Sequence, residues 1–466
     1  MTLSEIKENL GRAWSSVVVI LFVVYVTIHF REKFTDDVFY GGVNGWVYTD
    51  WLIDYSAGFT RRGLSGEVID FASKFVHPIK FIGALSWFLF ITVAWAFVRL
   101  LCRSLDHLGP SLIASALFLP TLLPFYLKDH RAFGRKEMIG SLILLWHLHA
   151  IKDLIKGSDS DSGAEREPTR RYLRRLTWIT AILLPAHIFM HEGSLFLFLP
   201  VHMMLSFSIL RIETLSTVGK RLRNLAIWYS PVALAFLVVA LEGRPTFEVA
   251  QAMCQKWERL NALIPGACDA VNGESMWALP ATFSTLPWTV SQASSLIMNI
   301  TIEQIVLWLF VFALTGFMTV QAGLRIAGSI IQNVSRAPSV SNATHSISWS
   351  LATRFFAIPW LFSVPLYILG CDAGRWHAVT CLNFIMIMLS RELMMAELRV
   401  FELNRACPGP AVENAGEKPT IPLFQVCWLP LLMVAAVIRI PIFEIGPYEI
   451  LSSPFKDWLR GVVDLF

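Results

Sequence analysis

Long apolar runs broken by short polar turns dominate the chain. Their length, more than any amphipathic period, is the first signal. A helix needs about 20 apolar residues to cross ~30 Å of hydrocarbon. That ruler predicts eleven spans, near 15–30, 81–101, 109–127, 138–151, 176–190, 194–210, 225–241, 303–324, 355–370, 377–390 and 421–438. The expected fold is an all-α polytopic helix bundle, one integral membrane domain over 1–466. On one side lie a first loop, 31–80, and a long loop, 242–302; on the other lie 152–175 and 391–420. Ser15–Phe30 has no small-residue cleavage site before Arg31, so it reads as a retained first helix. Pro454–Phe466 is amphipathic and suits an interface.

Composition narrows the class. Hydrophobic residues make up 55% of the chain and charged residues 16%, with a mean hydropathy of +0.55. Soluble domains carry ~25% charged residues, so a secreted enzyme, a nucleic-acid-binding domain and a disordered scaffold are excluded. Seven cysteines without a CxxC pair give no zinc site. Orientation follows the loop cations. The 152–175 loop holds seven, including Arg170, Arg171, Arg174 and Arg175, and is placed in the cytosol. The N-terminus is then cytosolic and the C-terminus external.

With that orientation, the compact polar clusters at span ends share the outer face. DYSAGFTRRGLSG (Asp54–Gly66) supplies Gly58, Gly63 and Gly66 for close backbone approach, and Arg61 and Arg62 as planar forks suited to phosphate. KDHRAFGRKE (Lys128–Glu137) runs Arg135, Lys136 and Glu137 straight into a span, as an anion clamp would. HIFMHE places His187 and His191 four apart with Glu192 adjacent, and the order HxxxHE does not match a zinc helix. His191 and Glu192 are candidate general bases, with Asp54 and Asp372 as further candidates. DAGRWH offers Asp372, Arg375 and Trp376, the last for stacking on a sugar or marking the interface. Each cluster also has a structural reading, as internal ion pairs or headgroup contacts. Cys254 and Cys268 lie together in the long outer loop, where an oxidising compartment favours a disulfide.

The ordered set GFTRRGLSG, FGRKE, HE and DAGRW resembles membrane proteins of polysaccharide gene clusters, the Wzy-type repeat-unit polymerases and GT-C glycosyltransferases. The resemblance extends over spans one to ten. It implies a GT-C-like fold in a bacterial inner membrane, a polyprenyl-linked saccharide donor, a saccharide acceptor and transfer on the periplasmic face. Polymerisation of O-antigen, capsule or exopolysaccharide repeat units is the first expectation, and single-sugar transfer from a polyprenyl monophosphate the second. A lipid-linked sugar flippase and a non-catalytic envelope-assembly subunit are the rivals from other classes. Under this resemblance Arg61, Arg62, Arg135, Lys136 and Arg375 surround phosphate, while Gly58, Gly63, Gly66, Glu137, His187 and Trp376 support the site. No cofactor is expected, and no DxD sequence beyond Asp36–Asp37 argues for a divalent metal, so metal dependence stays open. The expected partners are membrane lipids and other polysaccharide-assembly proteins, with no nucleic acid.

Overall fold

The computed structural model describes residues 3–39, 45–128, 132–158, 166–213, 217–243, 246–261, 302–335, 341–369 and 373–406. Every regular element among them is helical. Eight helices are long and apolar enough to cross a membrane, and a bent pair raises the number to nine. This is a multi-pass membrane architecture. The expected spans 15–30 through 138–151, 194–210, 225–241, 303–324 and 355–370 fall on those eight helices. The span at 421–438 lies outside the described residues.

The first helix, α1 (Leu3–Phe39), turns Ile20, Val23 and Val24 outward and packs Phe22 edge-on against Phe118. A short α2 (Gly45–Trp51) and α3 (Gly63–Ser73) precede α4 (Pro78–Cys102), whose proline sits in the first turn, where no N–H is missed. Trp87 of α4 is a packing centre. Phe30, Phe90 and Phe133 surround its ring, and its indole N–H donates to Asp37 at 2.9 Å. Next come α5 (Pro110–Phe118), α6 (Leu123–Lys128) and α7 (Glu137–Ser158).

α8 (Arg166–Trp178) continues through a π-helical turn, Ile179–Leu183, into α9 (Leu184–Met190). The expected span 176–190 is therefore the distal part of a longer helical run. Its arginine-rich first half keeps that run out of the apolar set. α10 (Ser194–Glu213), α11 (Val218–Glu242) and α12 (Phe247–Arg259) follow, then α13 (Ile302–Ser335), α14 (Ser341–Ala352), α15 (Ile358–Leu369), α16 (Ala373–Met388) and α17 (Arg391–Ala406).

The loop expected at 391–420 is corrected over its first half. Arg391–Glu402 is helical and bends 67° from Gly374–Met388. It buries Leu393, Met394, Leu398 and Glu397. The carboxylate of Glu397 takes a bidentate pair from Arg354, at 2.8 and 2.9 Å. An apolar stripe with one paired acid packs like a helix face even where its outer residues are charged.

Helix starts and helix ends converge at one end of the bundle. α3, α7, α10 and α16 begin there, and α2, α9 and α11 finish there. The loops carrying the polar clusters are held between them.

Candidate functional site

The local backbone explains the glycines of GFTRRGLSG. Gly58 has φ +138°, a region other residues rarely adopt. A Cβ at Gly66 would meet the Ile53 carbonyl oxygen at 2.1 Å, and one at Gly63 would meet the Tyr55 ring at 2.1 Å. Gly66 N–H also donates to that carbonyl at 3.0 Å. The turn is thus pressed onto the segment after α2, and Arg62 is left at φ 66° as the residue before α3. A left-handed arginine costs about 1–3 kcal/mol, which its contacts must offset.

Those contacts cross the sequence. Arg62 donates through Nε and Nη2 to Glu192 at 2.7–3.1 Å, and through Nη1 to Asp50 at 2.9 Å. Arg61 reaches Glu192 at 3.4 Å, and its backbone N–H donates to the Gly243 carbonyl at the end of α11. Lys136 has no exposed side-chain surface. Its ammonium spends all three donors, on the Asp50 carbonyl at 2.7 Å, the Asp50 carboxylate at 3.1 Å and the Met190 carbonyl at 3.1 Å.

The next residue opens the second half of the cluster. Glu137 Oε1 lies 3.0 Å from His191 Nε2 and 3.2 Å from Arg375 Nε. His191 Nδ1 accepts the Gly193 N–H at 3.2 Å, which puts the ring proton on Nε2, facing Glu137. His187 Nε2 donates to the Lys136 carbonyl at 3.1 Å, with Ser194 Oγ at 3.2 Å. Arg135 is buried and acts electrostatically on both Asp50 and Glu137. All four loop motifs meet in one assembly, through the dipeptides Lys136–Glu137 and His191–Glu192.

Electrostatics follow from that packing. Burial pushes the Asp50 carboxyl up, but Lys136 and Arg62 outweigh it and hold the group well below the carboxylate range. Glu192 behaves likewise, with burial opposed by Arg62 and Arg61. Burial draws the Lys136 ammonium down to about 8, against the pull of Asp50. Both carboxylates are therefore anions at neutral pH. The described residues of the cluster include the cations Arg61, Arg62, Arg135, Lys136 and Arg375 and the carboxylates Asp50, Glu137 and Glu192.

Several expected residues sit elsewhere. Asp54 accepts from Ser56 at 2.6 Å and pairs with Lys256 of α12 at 2.8 Å, and Lys256 also pairs with Asp70. That set anchors α12, and the Asp54 carboxylate is committed there. Trp376 is buried with its ring edge-on to Tyr367, so it packs inside the bundle and presents no face to a sugar. Asp372 and Cys268 lie outside the described residues; Cys254 is disulfide-bonded.

Asp50, which bridges Arg62 and Lys136, is the residue that sequence reasoning passed over. Its signal was a lone carboxylate in the otherwise apolar WLID-flanked run Trp46–Ile53. Among the described residues no three His, Cys, Asp or Glu side chains gather to hold a metal ion. No protein-family model, curated protein or solved structure matches this chain.

Proposed function

We propose that the chain is a membrane glycosyltransferase that takes a sugar from a polyprenyl-(pyro)phosphate donor on the extracytoplasmic face, polymerising polysaccharide repeat units. One observation carries this reading. A largely buried cluster at the end of an apolar bundle, with Arg61, Arg62 and Glu192 at its partly exposed edge, gathers five cations among three carboxylates. Arginine forks and a lysine gathered at the end of an apolar bundle suit an anionic group that carries a hydrocarbon tail. A phosphate or pyrophosphate supplies that anion, and its polyprenyl tail needs the surrounding hydrocarbon.

The roles divide by geometry. Arg62 and Lys136 have their donors filled by carboxylates and carbonyls, so they form a rigid frame. Arg61 and Arg375, which lie against Glu192 and Glu137, and the neighbouring Arg135 are the cations we assign to phosphate oxygens, on their position beside this frame. Breaking the sugar–phosphate bond builds charge on the departing phosphate, and preorganised arginines stabilise that charge. His191 has one ring nitrogen accepting a backbone N–H and the other facing a carboxylate, while both oxygens of Glu192 accept from Arg62. Neither is poised as the base in this arrangement.

The test is mass spectrometry of lipid-linked saccharides in a strain lacking the gene. Accumulation of a complete polyprenyl-diphosphate repeat unit is the expected result. Accumulation of a unit one sugar short assigns single-sugar transfer instead, and an unchanged lipid-linked pool rejects glycosyl transfer.

A further inference from the structure

The three carboxylates of the cluster are not equivalent. Both Asp50 oxygens and both Glu192 oxygens meet cations. Glu137 differs. Its side chain is 1% exposed and Oε1 is shared by His191 and Arg375, yet Oε2 is buried without a hydrogen-bond partner. Buried polar atoms are nearly always bonded, and an ionised oxygen is the most costly kind to leave alone. A ligand that brings a hydroxyl donor relieves that cost.

We infer that Glu137 Oε2 receives the acceptor hydroxyl, accepting its hydrogen bond on binding and its proton on reaction. This rests on the glycosyl-transfer reading and assigns the acceptor half of the same site. His191 is then a positioning residue. Gly193 N–H fixes its tautomer, and its Nε2–H fixes Oε1, which leaves Oε2 directed at the acceptor. In the step itself the acceptor oxygen bonds to the sugar's anomeric carbon. The bond from that carbon to the phosphate oxygen breaks, its electron pair stays on the phosphate, and the hydroxyl proton passes to Oε2. No further reactant is needed.

The experiment uses the full chain in lipid nanodiscs, with two probes. Farnesyl diphosphate reports donor-phosphate binding, and the lipid-linked saccharide extracted from the gene-deletion strain reports turnover. Glu137→Gln is expected to bind farnesyl diphosphate like the wild type while turnover falls about 10²–10⁴-fold, the range for a lost proton acceptor. Formate added to Glu137→Ala is expected to restore part of the rate, which a purely structural role would not allow.

Turnover of Glu137→Gln within about tenfold of wild type, or a folded Glu137→Ala that formate does not rescue, overturns the inference and leaves the glycosyl-transfer reading standing. If Glu137→Gln fails to fold, Glu137→Asp takes its place. It keeps the charge but withdraws the oxygen by one methylene, so reduced kcat at unchanged farnesyl diphosphate affinity supports the inference and wild-type kcat overturns it. A wild-type protein that neither binds farnesyl diphosphate nor consumes the extracted lipid fails the underlying reading, and the inference with it.

Discussion

Asp50 holds two cations that come from opposite sides of the site, Arg62 at 2.9 Å and Lys136 at 3.1 Å. Replacing it with asparagine keeps the shape and leaves the fully buried Lys136 without its counter-charge. Removing one partner of a buried pair costs about 3–5 kcal/mol, so Asp50→Asn is expected to lower the unfolding free energy by that order, read by thermal melting in detergent. The same residues set the pH response. Asp50 and Glu192 have folded pKa values depressed below their ordinary 3.8 and 4.5, so their stabilisation is complete above about pH 5 and fades as pH falls below that. Lys136 is depressed to about 8 from 10.5, so between those values the unfolded chain binds more protons and stability rises with pH. A melting series is expected to show acid loss in the wild type and an alkaline rise that disappears in Lys136→Met. An acid limb unchanged by Glu192→Gln would count against the buried-anion description.

At the scale of elements, α12 is the least conventional piece, a helix docked by charge onto the first loop. Lys256 joins Asp54 and Asp70 at 2.8 Å each, and Trp257 is fully buried beneath it. Lys256→Met leaves the buried Asp54 without a cation, a cost of about 3 kcal/mol for this partly exposed lysine. Because α12 is docked on the bundle's edge by these few contacts, the expected result is local opening. Amide hydrogen exchange across 247–259 should quicken by about two orders of magnitude while the global melting temperature moves little. The same comparison shows what the sequence made legible. Charged residues at the ends of apolar runs are expensive, so the four motifs stood out. Their pairing did not, because Arg62 and Glu192 are 130 residues apart and Glu137 and His191 are 54 apart. Asp54 looked the better acid than Asp50 because it lies inside the glycine-rich motif, and only the docking of α12 shows it committed to Lys256. A hydropathy ruler also measures apolar length and not helix continuity. It therefore shortened the Arg166–Met190 run and read α17 as a loop.

Over the whole molecule the two ends of the bundle differ in kind. The site end gathers most of its charges into one connected cluster, whereas the opposite end carries separate pairs, the exposed Arg171–Glu167, the partly exposed Arg175–Asp153 and the largely buried Arg354–Glu397. α7 connects them. It starts at Glu137 in the site and runs 22 residues to Ser158, ~33 Å at 1.5 Å per residue, enough to cross the hydrocarbon. The helical run from Arg166 to Met190 returns over a similar distance and delivers His191 and Glu192 back to the site. The described residues 152–158 and 166–175 therefore lie at the far end of these helices from the cluster. The seven cations of 152–175 are expected in the cytosol under the positive-inside rule, which would face the cluster outward. A fluorescent protein that matures only in the cytosol, inserted at Gly163, is expected to glow, and a phosphatase active only after export, inserted there, to stay silent. A phosphatase fused after Phe466 is expected to be active, since the eleven spans expected from the sequence, counted from a cytosolic N-terminus, would end outside. Silence at Phe466 with fluorescence at Gly163 would revise the number of spans after Ala406 and leave the site outside. An active phosphatase at Gly163 would turn the cluster toward the cytosol and would remove the basis for a reaction on the extracytoplasmic face.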